Sequence, residues 1–294
     1  MINFRTDLAA ESAAMITEEL AGLAQEKENF GSLEILTVRI TDENSARAVG
    51  KPQGEYITVN TPPFHSSIEV NEQEVCQIAE RIAGVLPTDG MVLVIGLGNN
   101  DITPDAIGPR TVHGILATRH ISGEMKKQAG LEMLRPVAAL APGVLGQTGI
   151  ESSEIVAAIV RDISPSAVVV IDALAAKSTS RLGCTIQIAN SGISPGSGVM
   201  NSRKELSKAT LGVPVVSVGI PTVVDASTLA GDLLPDMEES EQLRELFEPR
   251  GSSMMITPRE IDTLISHACH TLSLAVNKAL QSDMTLEEIG YLVS

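Results

Sequence analysis

Three short aliphatic runs, MVLVIG (residues 91–96), AVVVID (167–172) and VPVVSVG (213–219), constrain this chain more than any other feature. Each is apolar at consecutive positions, not at alternate ones, as in a strand covered on both faces. Helical patterns lie between them, over 105–119, 150–162 and 203–210. That alternation implies an α/β fold with a mostly parallel or mixed twisted sheet and helices on both faces. VAALAPG (137–143) and GCTIQIAN (183–190) read as further strands of it. Aromatic residues make up only 2% of the chain and Trp is absent, so the core has to be built from Val, Ile, Leu, Ala and Met.

The first third reads differently. Residues 8–28 have the composition of an amphipathic helix. LEILTVRI (33–40) and EYITVNTP (55–62) read as strands, and the turn-rich AVGKPQG between them suggests a hairpin, an N-terminal elaboration of the main sheet. Helices are expected over 71–86 and about 258–280. The acidic stretch 231–248 reads as solvated, not as a binding surface. A length of 294 residues suits a single α/β domain.

A net charge of −16 argues against a nucleic-acid surface and against an anionic membrane. The three cysteines are scattered and form no C-x-x-C, which predicts reduced thiols in a cytoplasmic setting. No secretory signal is read at the N-terminus, and no apolar run approaches the ~20 residues of a membrane span.

In open α/β sheets, functional residues gather past the carboxyl ends of the strands. GLGNNDITPDAIGP (96–109) lies there, after the strand at 91. It resembles a phosphate loop, but Asp101 stands where the third glycine of a dinucleotide fingerprint belongs, and the Lys-Ser/Thr of a P-loop is missing. The carboxylates are the better candidates. Thr103 and Pro104 suit the start of a helix, which places Asp105 in its first turn, where free N–H groups favour an ionised carboxylate. Asp172 ends an aliphatic strand, where a charge pointing into the core would be costly. If the strands that carry them lie side by side, the two face one crevice. Paired carboxylates split their pKa values into an acid and a base, the apparatus for activating water. A purely structural reading stands beside this: Asp105 as a cap, Asp172 as a partner of backbone N–H groups. Asp101 and Asp225 are weaker candidates. His267 and His270 share a helix face but lack a third ligand, so no metal site is expected; nor is a G-x-S-x-G elbow present.

GLGNNDITPDAIGPRTV, APGVLGQTGIES, VVVIDALAAKS, SGISPGSGVMNSRKE, GIPTVVDA and MMITPREID resemble, in order, the germination proteases, endopeptidases that degrade small acid-soluble spore proteins. The G-x-G-N loop with a downstream Asp also resembles hydrogenase-maturation endopeptidases of the same fold. The resemblance implies a homotetramer, made as an inactive zymogen in the cytoplasm of the developing spore. It implies an atypical aspartic-type mechanism with Asp105 and Asp172 as the catalytic pair, and no cofactor or metal is carried over. Arg5-Thr6-Asp7-Leu8-Ala9-Ala10-Glu11 resembles the family's self-processing site. By that resemblance the bond between Asp7 and Leu8 is cut, residues 1–7 are a propeptide and 8–294 the protease domain. Segment 231–252 looks shorter than in longer family members. The competing readings are a metal-dependent maturation endopeptidase on the same fold and a non-enzymatic nucleotide- or anion-binding module.

Overall fold

The structure is a computed structural model that describes residues 6–16, 18–66, 71–121, 123–194, 204–233 and 254–293. The strands are β1 (Leu23–Phe30), β2 (Leu33–Ile40), β3 (Gly54–Asn60), β4 (Val92–Gly96), β5 (Val137–Leu140), β6 (Ala167–Ala176), β7 (Thr185–Ala189), β8 (Val215–Asp225) and β9 (Met255–Ile256). The helices are α1 (Ala9–Ala14), α2 (Glu43–Val49), α3 (Glu72–Gly84), α4 (Ile107–His113), α5 (Gly123–Ala129), α6 (Leu145–Thr148), α7 (Ser152–Ile163), α8 (Lys208–Leu211), α9 (Ala226–Leu233), α10 (Ile261–Leu280) and α11 (Leu286–Val293).

All strands join one mixed sheet in the order β1-β2-β3-β7-β8-β6-β4-β5, with β9 pairing β8. The aliphatic runs form its parallel half: β5, β6 and β8 are linked through parallel β4–β5, β4–β6 and β6–β8 ladders. Counted from β4, the parallel strands stand in the spatial order 2-1-3-4, so the chain reverses direction across the sheet between β4 and β6. A crevice opens outside the carboxyl ends of the strands at such a switch point.

Period-2 alternation sends neighbouring residues of these strands to opposite faces. Val169 and Ile171 join the larger core, with Ile78 and Ile82 of α3 and Leu264 and Leu272 of α10. Val168 and Val170 join the second, with Val156 and Val160 of α7. Burying each such side chain contributes about 1.5–3 kcal/mol, and this two-sided burial is why the runs are apolar throughout.

The N-terminal third departs from expectation. The helix expected over 8–28 is confined to Ala9–Ala14, and Leu23–Phe30 is a strand. Its residues favour a helix in isolation, but pairing decides: all eight face β2 in register, from Leu23↔Ile40 to Phe30↔Leu33. The two-residue turn Gly31–Ser32 closes this hairpin, with Gly31 at φ +58° as such a turn demands. β2 and β3 are antiparallel neighbours, but their connection is not a tight turn. It holds α2, capped by Asp42, whose Oδ1 accepts from Ser45 N at 2.7 Å, and closed by left-handed Gly50. α3 matches its expected span and starts with a reciprocal capping box between Asn71 and Glu74.

The helix expected over 105–119 is interrupted. Thr103–Asp105 is one turn of 3₁₀ helix and α4 stops at His113. Asn277 of α10 takes over the chain there: its Nδ2 donates to Gly114 O at 2.7 Å, and its Oδ1 accepts from Leu116 N at 2.8 Å. Those side-chain bonds replace the helical ones. The acidic segment beyond residue 233, most of the glycine-rich loop after β7, and residues 1–5 lie outside the described residues. Among the described residues no helix is long and apolar enough to cross a membrane.

Candidate active site

β4 ends at Gly96, opposite Ile171, so β6 runs on past its neighbour from Asp172. The chain leaving β4 turns into the space above that overhang. Glycine is required for it to do so. A Cβ on Gly96 would lie 2.2 Å from Gly108 O, and one on Gly108 would lie 2.1 Å from Leu97 O and 2.5 Å from Ile171 O. Gly98 adopts φ +116°, and a Cβ there would meet Asp105 O at 2.0 Å. These contacts are with backbone, which cannot swing aside. The glycines of GLGNND therefore seat the start of α4 directly on the ends of β4 and β6.

Asp105 is what this seating presents. It closes the 3₁₀ turn and does not stand in the first turn of a longer helix, so the expected helix-terminus partners are replaced. Its Oδ2 accepts from Asn99 N at 2.8 Å, tying the carboxylate back to the glycine loop. The turn is braced from the far side by Thr222 of β8, whose hydroxyl donates to Pro104 O at 2.7 Å. Asp101 is exposed and accepts from Gln147 Nε2 at 2.9 Å, away from this arrangement.

Asp172 is buried, with 7% of its surface exposed, and its Oδ1 accepts from Ala173 N at 2.9 Å. By alternation it shares a face with Val168 and Val170 behind it and Leu174 ahead of it. Across the sheet it faces Gly219 of β8, and Gly219 in turn faces Gln187 of β7. Asp172, Gly219 and Gln187 form one transverse row in which the middle position lacks a side chain. The gap forms part of a cleft of about 820 Å³, lined also by Asp105, Gly98 and Lys51. The two sequence-predicted aspartates therefore line one cavity at the switch point.

The third sequence-predicted feature, Asp7–Leu8, lines or abuts the same cleft. Asp7 N donates to Ala175 O at 2.9 Å, and Ala175 N donates to Asp7 Oδ2 at 2.9 Å. Leu8 is fully buried against Leu174, Ala176 and Val224. α1 follows at once, with Ala9 and Ala13 packed on Val38, Tyr56 and Ala189.

Lys51 and Gln187 carried no signal in the sequence. Lys51 Nζ donates to Thr6 O at 3.0 Å and Asp7 O at 3.2 Å. Burial pushes its ammonium below the usual lysine range, against the opposing pull of the Asp7 and Glu11 carboxylates. Gln187 Nε2 donates to Asp7 O at 2.8 Å while its Oε1 accepts from Ala9 N at 2.7 Å. The remaining candidates lie apart. His267 Nδ1 is 2.8 Å from Phe64 O and His270 is exposed, both on α10. Asp225 pairs in register with Met255 at the β8–β9 ladder. Among the described residues no three His, Cys, Asp or Glu side chains cluster as a metal site would require.

Comparison with known proteins matches residues 4–236 to a family model described as germination protease. The chain is 39% identical to a germination protease of Caldanaerobacter subterraneus subsp. tengcongensis, over 100% of this chain and 99% of the relative. It is 38% identical to one of Clostridium perfringens, over 99% of each. Among solved structures, a [NiFe] hydrogenase maturation protease HycI from Thermococcus kodakarensis KOD1 aligns at 16% identity and a TM-score of 0.38, covering 68% of this chain and 98% of that one. That structural likeness is too low to carry weight, whereas the sequence matches run the length of the chain. This chain belongs to the germination protease family, a family of peptidases.

Proposed function

We propose that this chain is a self-processing endopeptidase of germination that cuts small acid-soluble spore proteins, with Asp105 and Asp172 as its catalytic pair. The observation that carries this is the meeting of both carboxylates in one cleft at the switch point, with the Asp7–Leu8 segment seated against it. One carboxylate, ionised, takes a proton from a water whose oxygen adds to the peptide carbonyl carbon. The other, protonated, donates to the carbonyl oxygen. Collapse returns one hydroxyl proton to the second carboxylate and breaks the C–N bond as the leaving nitrogen takes the proton held by the first, leaving a new carboxyl and a new amine.

In this reading the protein is made as a zymogen with residues 1–7 as propeptide and 8–294 as the protease. The segment ahead of α1 fills space that an extended substrate backbone needs. The family resemblance further supports a homotetramer acting in the spore core. Spore-coating proteins that are poorly ordered when off DNA offer an extended backbone to such a cleft.

The test is intact mass of the full chain during incubation at mildly acidic pH, beside Asp105→Asn and Asp172→Asn. The expected result is loss of residues 1–7 from the wild type, with each variant slowed by about 1,000-fold or more. A peptide containing T-E-I-A-S-E, added in trans, is expected to be cut by the wild type and spared by both variants. Normal processing by either variant overturns the pair, and loss of activity on chelation, with both variants active, moves the assignment to the metal-dependent alternative.

A further inference from the structure

The ladder between β6 and β8 is irregular beside the two aspartates. Its register runs from Asp172↔Gly219 to Leu174↔Pro221 and resumes at Ala175↔Val223, so Thr222 is one residue more than β6 can match. A bulge of this kind bends its strand locally and re-aims a side chain, and bulges collect next to active sites. Here the re-aimed side chain is that of Thr222, which is fully buried. Its hydroxyl donates to Pro104 O at 2.7 Å. The bulge is in turn tied to the strand beside it. Thr257, the residue after β9 in the stretch MMITPREID, donates its hydroxyl to Thr222 O at 2.8 Å.

Pro104 O and Asp105 N belong to one planar peptide unit. Asp105 N donates to Ile102 O at 2.8 Å within the 3₁₀ turn. The unit is therefore held at both ends, by the turn at its N–H and by Thr222 at its carbonyl. Its nitrogen is bonded to Asp105 Cα, so fixing the plane fixes where the side chain starts. Three residues before Thr222, Gly219 stands beside Asp172, so close that a Cβ on it would lie 2.9 Å from Asp172 O. Residues 219–222 thus bear on both aspartates at once, one end on the strand that carries Asp172 and the other on the turn that carries Asp105. Apolar packing alone would cover that turn. Burying a hydroxyl costs free energy unless it is hydrogen-bonded, and this one is directed at the carbonyl next to Asp105.

We infer that Thr222 is a positioning residue of the protease: through the Pro104–Asp105 peptide unit it sets where the Asp105 carboxylate stands relative to Asp172, and Thr257 acts behind it by holding the bulge in shape. This rests on the reading of Asp105 and Asp172 as the catalytic pair. Neither threonine takes a step of the chemistry. The stretch MMITPREID, distant in sequence from both aspartates, reaches the site through this relay. Without the Thr222 hydroxyl the sheet still forms, but the turn and the carboxylate on it are free to shift. A misplacement of about 1 Å in a reacting group costs on the order of 100-fold in rate. The rest of the cleft still binds the peptide, so the loss belongs in kcat and not in KM.

The experiment compares the wild type with Thr222→Val, Thr222→Ser, Thr257→Val, Thr118→Val and Asp105→Asn, all as full chains. Self-conversion is followed by intact mass, and kcat and KM for a peptide containing T-E-I-A-S-E are measured per converted chain, with urea unfolding alongside. Thr118 is the control. It is equally buried, and its hydroxyl donates to Arg135 O and accepts from Val137 N, beside the start of β5 at the opposite end of the sheet. Thr222→Val is expected to lower kcat and the conversion rate about 30-fold, with KM within about twofold. Thr222→Ser, which keeps the donor, should stay within about threefold of the wild type, and Thr257→Val should lose about fivefold in kcat. Thr118→Val should lose at least as much stability as Thr222→Val and keep its kcat. A kcat for Thr222→Val within about threefold of the wild type overturns the inference. So does an equal kcat loss in Thr118→Val, which would mark a general loosening, or a loss that falls in KM, which would make Thr222 a substrate contact. Should Thr222→Val not fold, Thr257→Val, which leaves Thr222 in place, carries the test, and an unchanged kcat there overturns it equally. If Asp105→Asn converts normally, it is the proposed function that fails, a result distinct from every outcome above.

Discussion

In the parallel half of the sheet every residue of β4 is buried, as are nine of the ten in β6. In the antiparallel wing burial fades outward: β3 still buries the middle of its span, whereas seven of the eight residues of β1 are exposed. One half is packed on both faces throughout, whereas in the wing β2 and β3 still feed a cluster on each face and that cover is lost at β1. The halves also divide the cleft. The parallel half supplies both aspartates: Asp172 from within β6, where that strand overhangs β4, and Asp105 from the 3₁₀ turn seated on the same overhang. The wing supplies Lys51 and Gln187 from its inner margin. Rigid carboxylates and a separately mounted set of donors are a reasonable way to keep one fixed while the other adjusts to a peptide.

The largest effect on this comparison should come from putting a methyl group on a glycine in each half. Gly108→Ala places a Cβ between Leu97 O and Ile171 O, both backbone, at 2.1 and 2.5 Å. Relief requires α4 to lift from the strand ends, carrying Asp105 with it. Destabilisation of about 3 kcal/mol and near-complete loss of proteolysis are expected. Gly31→Ala strains a left-handed φ of +58°, and its Cβ meets Glu74 Oε1 at 2.6 Å, a side-chain atom that can yield at the cost of its bond from Ser32 N. About 1 kcal/mol and unaltered cutting are expected. Urea unfolding and peptide cleavage of the two variants decide it. An active Gly108→Ala, or an inactive Gly31→Ala, would break the division between a rigid site half and a tolerant wing.

A smaller effect tests where the two halves meet. Tyr56 of β3 is buried and donates its hydroxyl to Pro52 O at 2.7 Å, one residue from Lys51. Burial pushes its phenol up to about 12. Because the folded value lies above the unfolded one near 10, the stabilisation is complete below pH 10 and is lost as pH rises toward 12. The loss is on the order of 2 kcal/mol. It should appear as a steeper alkaline fall in urea midpoint for the wild type than for Tyr56→Phe, between about pH 9.5 and 11.5. Parallel falls would show that the wing's inner margin is as open to solvent as its edge.

The same asymmetry explains what could be read in advance. The parallel strands were legible because two-sided burial writes an unbroken aliphatic run, and strand ends in such sheets are where chemistry collects. Asp105 and Asp172 were candidates on that ground, and the family resemblance is what pairs them. The glycines around Asp105 were legible as a tight turn, but the partner that demands them, Gly108, lies on the next helix and is visible only in three dimensions. β1 was misread because an exposed edge strand has no buried face to impose alternation, and its Gln, Glu and Lys side chains favour a helix when nothing pairs with them. Gln187 was invisible for another reason. Its meaning depends on β7 inserting antiparallel beside β8, and nothing local in TIQIA specifies a neighbour. Lys51 sits in a turn whose composition explains itself without it.

The smallest effect belongs at the outer edge. Lys27 Nζ of β1 lies 2.6 Å from Glu34 Oε2 of β2, with 58% and 43% of those side chains exposed. Lys27 beside it holds the Glu34 carboxyl below its usual range against the opposing effect of burial, and Asn60 Nδ2 donates to the same carboxylate at 3.0 Å. Water screens a pair so exposed, and ordering two long side chains offsets part of the attraction, so Lys27→Met should cost about 0.5 kcal/mol or less. The sign of the salt dependence is the sharper readout. If the pair contributes through charge, the gap between wild type and Lys27→Met should close as ionic strength rises from about 0.05 to 1 M, where screening acts within ~3 Å. A gap that persists at high salt would mean that the lysine stem packs on the sheet and that β1 has a covered face after all. A loss well above 1 kcal/mol would say the same, and the gradient of burial from the switch point to the edge would have to be redrawn.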